Sequence, residues 1–232
     1  ISIMAMCAVG HQPTDPTPEG EAIRKALDFV LRDDRQNDKG YYGGRDGSRM
    51  YGHGMVSLML AEMLGMGVGV EQDRRIRQKL ELALGLTIRA QDMKAQSDDR
   101  QFGGWRYEPE SRDSDLSVTI WQLLALRSAK NAGIDVPKAA IEKAVRYLKK
   151  SYSTNERGNR KREGGTCRYQ PGHGPTYASS AAGLLALQIC GQYDSTEVAG
   201  SADWLMDEEL NWEREHFFYG TYYYAQGMYQ RG

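Results

Sequence analysis

Apolar residues recur along the chain at helical spacing, in two kinds of segment that alternate. Segments of the first kind are amphipathic, because charged residues fill the face opposite the apolar one. The first opens with Thr17 and Pro18, a helix cap followed by a first-turn proline. Amphipathic helices are predicted from about 17, over 72–91, from about 135 and over 196–205.

Segments of the second kind carry few charges, which predicts that they are buried more deeply than the amphipathic helices. Three complete ones are expected over 51–64, 115–129 and 177–189. A fourth starts in the aromatic run FFYGTYYY near 217, and the opening ISIMAMCAV is typical of the end of another. The pattern is therefore an outer helix, a glycine-rich loop and an inner helix, repeated, with almost no strand signal.

The glycine-rich loops mark the period of this repeat. Glycine pairs begin at Gly43, Gly103 and Gly164, which are 60 and then 61 residues apart. Neither helix of a pair can bury its apolar face alone, so neighbouring pairs must stack. We therefore predict an all-α fold, an α/α toroid of about four repeated helical hairpins.

Length, charge and hydrophobicity indicate a single domain that neither binds nucleic acid nor spans a membrane. The chain has 232 residues, which suits a single toroid domain over 1–232, and its opening inside an apolar run indicates a fragment of a longer chain. A net charge of −1 gives no field that would attract nucleic acid. No apolar run approaches the length of about 20 residues that a membrane span needs.

The cysteines exclude a disulfide-rich scaffold. Cys7, Cys167 and Cys190 are odd in number and widely spaced. That usage favours a reducing compartment, so a cytoplasmic location is expected.

The repeats resemble those of the prenyltransferase and squalene-cyclase superfamily. The resemblance rests on the period of the repeat, the glycine–aromatic loops and the segment WQLLAL, which begins at Trp121 within the inner helix. Gln91 followed by Gly103-Gly104-Trp105 is similar to the QW motif of triterpene cyclases, with a longer spacing. The resemblance implies an α/α toroid in which the glutamine and tryptophan tie neighbouring helices together.

An acidic run, Asp113-Ser114-Asp115, stands just before the central inner helix. It is similar to the D-x-D-D run of class II terpene cyclases, with Leu116 in place of the last acid. This resemblance implies Asp115 as proton donor and Asp113 as its support. A proton donor needs a raised pKa. The alternative is structural, because an acid before a helix caps it and offsets its dipole.

Protein prenyltransferases hold zinc through Asp, Cys and His on inner helices. Alignment on Trp121 and Gln122 puts Asp115 on the first ligand, but Ser117 and Thr176 replace the other two. A zinc site needs three protein ligands. We therefore predict no metal and no cofactor.

Aromatic and basic residues cluster in or beside the repeated loops. Aromatic faces stabilise cations and arginines bind diphosphates or carboxylates, so these residues could line a binding cavity. Packing is the alternative, since Tyr107-x-Pro109 recurs as Tyr169-x-Pro171. The candidate ligand-binding residues are Tyr51, His53, Trp105, Arg106, Arg112, Trp121, Tyr177, Tyr222 and Tyr223.

Two functions remain open. The first is a non-catalytic module that binds an apolar, isoprenoid-like molecule or a protein segment at the toroid cavity. The second is an acid-initiated terpene cyclase that uses Asp115. The missing last acid and the missing zinc ligands favour the first.

Overall fold

The computed structural model describes residues 1–93, 99–154 and 164–231. Most of the described chain is helical, which confirms the prediction of an all-α chain. The helices are α1 Ser2–Ala8, α2 Pro18–Leu31, α3 Arg49–Met63, α4 Val70–Asp92, α5 Leu116–Asn131, α6 Lys138–Ser151, α7 Tyr177–Ile189, α8 Thr196–Met206 and α9 Phe217–Arg231, with a 3-10 turn at Asp33–Arg35.

One short hairpin departs from the predicted pattern. Strand β1, Tyr152–Thr154, pairs antiparallel with β2, Gly165–Cys167, so that Ser153 lies opposite Thr166. These strands have almost no signal in the sequence because each is only three residues long, too short for a periodic pattern. The charged residues over 152–163 predict a loop, and most of that segment, 155–163, lies outside the described residues.

The helices form two layers that follow the predicted alternation. The central helices α1, α3, α5, α7 and α9 each contact the next one in this order. The flanking helices α2, α4, α6 and α8 pack against them, and each presents an apolar face inward. Helices α5 and α7 are buried along nearly their whole length, as the scarcity of charges predicts.

Side-chain caps define several helix starts. Thr17 accepts a hydrogen bond from the Gly20 amide at 3.2 Å, as the sequence predicts for the start of α2. Asp115, Thr176 and Ser195 cap α5, α7 and α8 in the same way. These caps satisfy amides that a helix leaves without an internal partner.

One glycine in each of the three long loops packs against the carbonyl of a flanking helix. Gly40, Gly103 and Gly164 have φ angles of +93°, +100° and +105°. A Cβ atom at these positions would lie 2.2, 2.1 and 2.5 Å from a backbone carbonyl oxygen of α4, α6 and α8, respectively. In the first loop the glycine that makes this contact is Gly40. Of the pair that begins at Gly43, Gly43 lies against the backbone of Arg49 and Gly44 against the Tyr41 ring.

Two buried glutamines tie the loops to the flanking helices. Gln91 Nε2 donates to the carbonyls of Gly103 and Ala140 at 2.8 and 2.9 Å. Gln36 Nε2 donates to the carbonyls of Gly40 and Lys79 at 3.1 and 2.8 Å. Each glutamine therefore joins the glycine of its own loop to the next flanking helix along the chain, the kind of tie that the QW resemblance implies for Gln91.

The glycine contact predicts unequal costs for two alanine substitutions. Gly133 also has a positive φ, +81°, but a Cβ there would meet nothing within 4 Å. Gly133→Ala should cost about 1–2 kcal/mol of unfolding free energy, the strain of the left-handed backbone. Gly103→Ala should cost about 2 kcal/mol more, because its methyl group also collides with the Lys143 carbonyl. Urea denaturation of both variants measures the difference, and equal losses would contradict the packing described here.

Candidate functional site

Asp115 is buried at the start of α5, where its side chain caps the helix. Its Oδ1 atom accepts hydrogen bonds from the Val118 amide and the Ser117 hydroxyl, both at 2.8 Å. Its own amide donates to the Trp105 carbonyl at 2.9 Å, which fixes the loop against the helix. The capping contact that the residue pattern predicts is therefore present.

Arg106 joins the two acids of the predicted D-x-D-D-like run. Its Nη1 atom lies 3.2 Å from Asp115 Oδ2, and its Nε atom lies 3.4 Å from Asp113 Oδ2. Asp113 is half exposed, and Gln170 Nε2 lies 3.4 Å from the same oxygen. The two carboxylates thus share one guanidinium group.

Burial and the neighbouring polar groups have opposite effects on the pKa of Asp115. Burial raises the pKa of Asp115, and the Val118 and Ser117 hydrogen bonds and the Arg106 charge limit that rise. Both carboxylate oxygens already accept hydrogen bonds from these three groups. The side chain therefore acts as a hydrogen-bond acceptor and ion-pair partner, an arrangement that the ionised form makes best.

Tyrosine rings from successive loops surround the Arg106 guanidinium. Its carbon lies 4.6 Å from the centre of the Tyr107 ring and 5.9 Å from that of Tyr169. The hydroxyls of Tyr107 and Tyr169 are 2.7 Å apart. Tyr51 stacks on Tyr107 with ring centres 6.1 Å apart. We call Tyr51, Arg106, Tyr107, Asp115 and Tyr169 the tyrosine–arginine cluster; its three tyrosines are partly exposed.

Backbone hydrogen bonds explain why these rings come together. The Met50 amide in the first turn of α3 donates to the Tyr107 carbonyl at 2.9 Å. The Leu116 amide in the first turn of α5 donates to the Tyr169 carbonyl at 2.8 Å. Each loop is thereby fixed to the start of the preceding central helix, so its tyrosine lies beside the residues of that helix start.

An aromatic group from α5 and α9 lies next to the cluster. The rings of Trp121 and Tyr223 meet edge to face with centres 6.3 Å apart, and those of Tyr219 and Tyr223 are 4.9 Å apart. Burial raises the pKa values of both Tyr51 and Tyr219, and the two side chains lie close enough to affect each other. Trp121 Nε1 is buried and has no hydrogen-bond partner among the described residues.

Other candidate residues lie outside the cluster. Trp105 is fully buried and its Nε1 donates to the Thr87 carbonyl at 2.7 Å, while Arg112 is exposed in the loop. The Tyr177 ring lies 5.0 Å from the Arg214 guanidinium carbon and 6.0 Å from the centre of the Tyr224 ring. Tyr222 is 52% exposed, with its ring against Tyr223.

His53 faces the flanking helix α4. The Tyr42 amide donates to Nδ1 at 3.4 Å, so the ring proton is on Nε2, which lies 3.2 Å from the Ala83 carbonyl and 3.1 Å from Thr87 Oγ1. Thr87 Oγ1 in turn donates to Gln122 Oε1 at 3.2 Å, and Gln122 Nε2 donates to the Met50 carbonyl at 2.7 Å. These polar contacts join α3, α4 and α5 and leave the histidine fully buried.

Three tyrosines that the sequence pattern did not single out, Tyr107, Tyr169 and Tyr219, lie in or beside the cluster. The recurring Tyr-x-Pro pairs favoured packing of Tyr107 and Tyr169, yet both rings contact Arg106. Tyr219 was one of several tyrosines near the start of the last helix, and only the approach of α9 to α5 distinguishes it. The Tyr-x-Pro signal beside an arginine would have been sufficient to identify the first two.

A cavity of about 390 Å³ lies elsewhere, between α1, the end of α2 and α3. Its walls are mainly apolar and include Ile3, Tyr42, Met55, Val56 and Met59. None of the candidate catalytic or ligand-binding residues lines it. The cavity and the tyrosine–arginine cluster are therefore separate features.

Three further features of the described residues bear on the expected chemistry. Within residues 1–93, 99–154 and 164–231, no three or more His, Cys, Asp and Glu side chains are placed to hold a metal ion. No helix in those ranges has the length and apolarity needed to cross a membrane. Cys7, Cys167 and Cys190 are free thiols.

Comparisons with protein-family models, with curated proteins and with solved structures gave no match to this chain.

The buried histidine predicts a pH dependence of stability. Burial lowers the pKa of His53 to about 4, against about 6.5 in the unfolded chain. Between these values the unfolded state binds more protons, so His53 contributes stability that is present above about pH 6.5 and lost as the pH falls toward 4. Between pH 7 and pH 4, the free energy of unfolding should fall by about 3 kcal/mol more for wild type than for His53→Gln. Urea denaturation at several pH values measures this, with the exposed His173→Gln as control; parallel curves for wild type and His53→Gln would exclude this contribution.

Asp115 is predicted to stabilise the chain by more than its cap. Thr176→Val removes only a cap, from α7, and should cost about 1 kcal/mol. Asp115→Asn keeps much of the capping ability but removes the charge that faces Arg106. It should cost about 2–3 kcal/mol of unfolding free energy. The loss is smaller than for a fully buried ion pair, because Arg106 still pairs with Asp113 and is partly exposed to solvent. Thermal and urea unfolding of both variants test this, and a loss for Asp115→Asn no larger than that for Thr176→Val would mean that the ion pair contributes nothing.

Proposed function

We propose that this chain is a non-catalytic binding module with the α/α-toroid architecture of prenyltransferase and squalene-cyclase repeats. Its ligand is an apolar, isoprenoid-like molecule that contacts the tyrosine–arginine cluster. The observation that carries this proposal is a group of three partly exposed tyrosine rings beside a carboxylate whose oxygens are already engaged. Tyr107 and Tyr169 contact the Arg106 guanidinium, and Tyr51 stacks on Tyr107.

Recurring contacts support the toroid architecture. Gly40, Gly103 and Gly164 make the same close approach to a flanking helix in three successive loops. Gln36 and Gln91 make equivalent pairs of hydrogen bonds in two of them. Identical packing devices at a period of about 60 residues are the expected product of an internal repeat, and stacked helical hairpins curve because each is rotated slightly against its neighbour.

The state of Asp115 supports binding without catalysis. A proton donor to an alkene must be a neutral acid with its proton directed at the substrate. Here Oδ1 accepts two hydrogen bonds and Oδ2 faces the Arg106 guanidinium. The position of the missing last acid holds Leu116, a buried residue whose amide serves to anchor the next loop.

The chemistry of the cluster favours an apolar small molecule over a protein segment. A bound segment brings backbone amides and carbonyls that need partners. The hydroxyls of Tyr107 and Tyr169 already bond to each other, and the Arg106 guanidinium is shared by two carboxylates. The tyrosines therefore offer mainly ring faces, and unsaturated apolar chains pack well against such surfaces.

Titration with farnesol as the probe, followed by the intrinsic tryptophan fluorescence of the chain, tests the proposal. Tyr169→Ala should weaken binding about tenfold or more, because it removes one ring face from the cluster. Tyr193→Ala, at an exposed ring outside the cluster, should bind as wild type does. No saturable binding by wild type, or equal binding by both variants, would contradict the assigned site.

The same protein should leave isoprenoid substrates chemically unchanged. Linear prenyl chains of several lengths, incubated with wild type and with Asp115→Asn, should be recovered intact from both. A cyclised product that requires Asp115 would replace this proposal with that of an acid-initiated cyclase.

A further inference from the structure

Large apolar side chains are exposed along the segment from the last residue of α8 to the first turn of α9. Met206 and Leu210 are 56% and 57% exposed, and Trp212 is 72% exposed. Phe218, in the first turn of α9, is 79% exposed. Exposed apolar side chains that cluster mark interaction surfaces, whereas those scattered singly over a surface are normal.

Acidic residues alternate with these apolar ones. Asp207, Glu209 and Glu213 are exposed and form no ion pair with any other described residue. Glu215 contacts only the neighbouring His216 side chain, at 3.4 Å. We call the four apolar residues and these four acids the α8–α9 loop surface; its charge is strongly negative although that of the whole chain is near zero.

The loop that carries this surface is held in place by its own contacts. Arg214 Nη2 donates to Glu208 Oε2 at 2.8 Å, and the guanidinium carbon lies 5.0 Å from the centre of the Tyr177 ring. The Arg214 amide donates to the Asn211 carbonyl, and the Phe217 amide to the Arg214 carbonyl, both at 3.1 Å. Trp212 is thus presented by an ordered turn, so a partner need not order the loop.

We propose that the α8–α9 loop surface docks a basic amphipathic segment of a partner protein. The charge selects the partner, because lysines or arginines that flank an apolar stripe would meet the exposed acids while the stripe covers Trp212, Leu210 and Phe218. A second copy of this surface would repel the first, and an anionic membrane would be repelled for the same reason. Trp212 is the expected anchor, since tryptophan dominates the binding energy of many interfaces.

The experiment measures binding of the full chain to a synthetic amphipathic Leu/Lys peptide by calorimetry. Wild type should bind with an affinity that falls as salt is added. Trp212→Ala, and separately the triple variant Asp207→Asn/Glu209→Gln/Glu213→Gln, should each weaken binding at least tenfold. A peptide with the same leucines and with glutamates in place of the lysines should not bind.

Matched controls separate this surface from general charge effects. Tyr193→Ala removes another exposed aromatic ring from a loop, and Glu19→Gln/Glu110→Gln/Asp135→Asn makes the same change in net charge at three other exposed acids. Both should bind the Leu/Lys peptide as wild type does. Because all the substituted side chains are exposed, the melting temperatures of the variants should match that of wild type.

Three results would overturn the proposal. They are the absence of binding by wild type, an equal loss in the control triple variant, and equal binding of the glutamate peptide. A shift of Trp212 emission with zwitterionic phosphatidylcholine vesicles, without any response to the Leu/Lys peptide, would instead assign the surface to membranes.

Discussion

A buried helix must find partners for the backbone amides of its first turn, and this requirement governs the arrangement of the central helices. Helices α3 and α5 meet it with a carbonyl from the loop that leads into the following central helix, as between Met50 and Tyr107. The bond does more than satisfy an amide, since it fixes where the loop crosses the helix start. Aromatic rings from loops far apart in sequence are thereby placed side by side around one guanidinium group.

Arg106 is the residue on which the electrostatics of the site depend. A carboxylate buried as Asp115 is would be costly without a positive partner, and the guanidinium supplies the charge together with well-directed hydrogen bonds. Because the same group also faces Asp113 and two aromatic rings, its position is determined by several contacts at once. The centre of the cluster is consequently held by several contacts, and the charges of Arg106 and Asp115 offset each other.

The sequence predicted most of the helical architecture because the signals that specify it are local. Helical periodicity placed α5 and α7 to within a few residues, and the cap at Asp115 followed from residue type and position. The features that the sequence did not predict depend on contacts between distant segments of the chain. Periodicity does not say which neighbour a given helix face meets, so His53 was expected near a cavity and lies instead against α4. The pairing of Arg106 with Asp115 depends on the path of a glycine-rich loop, and the approach of α9 to Trp121 joins residues about a hundred positions apart.

The polar contacts from His53 through Thr87 to Gln122 and the Met50 carbonyl have a consequence for how the helices align. Helices lined with leucine and alanine can slide past one another by a turn and still bury nearly the same apolar area. A slide of α5 against α3 and α4 would separate all of these polar groups inside a dry core, where each unpaired group costs about 1–3 kcal/mol. Compact but misaligned packings are therefore less stable than the native alignment, although their apolar contacts are nearly as good.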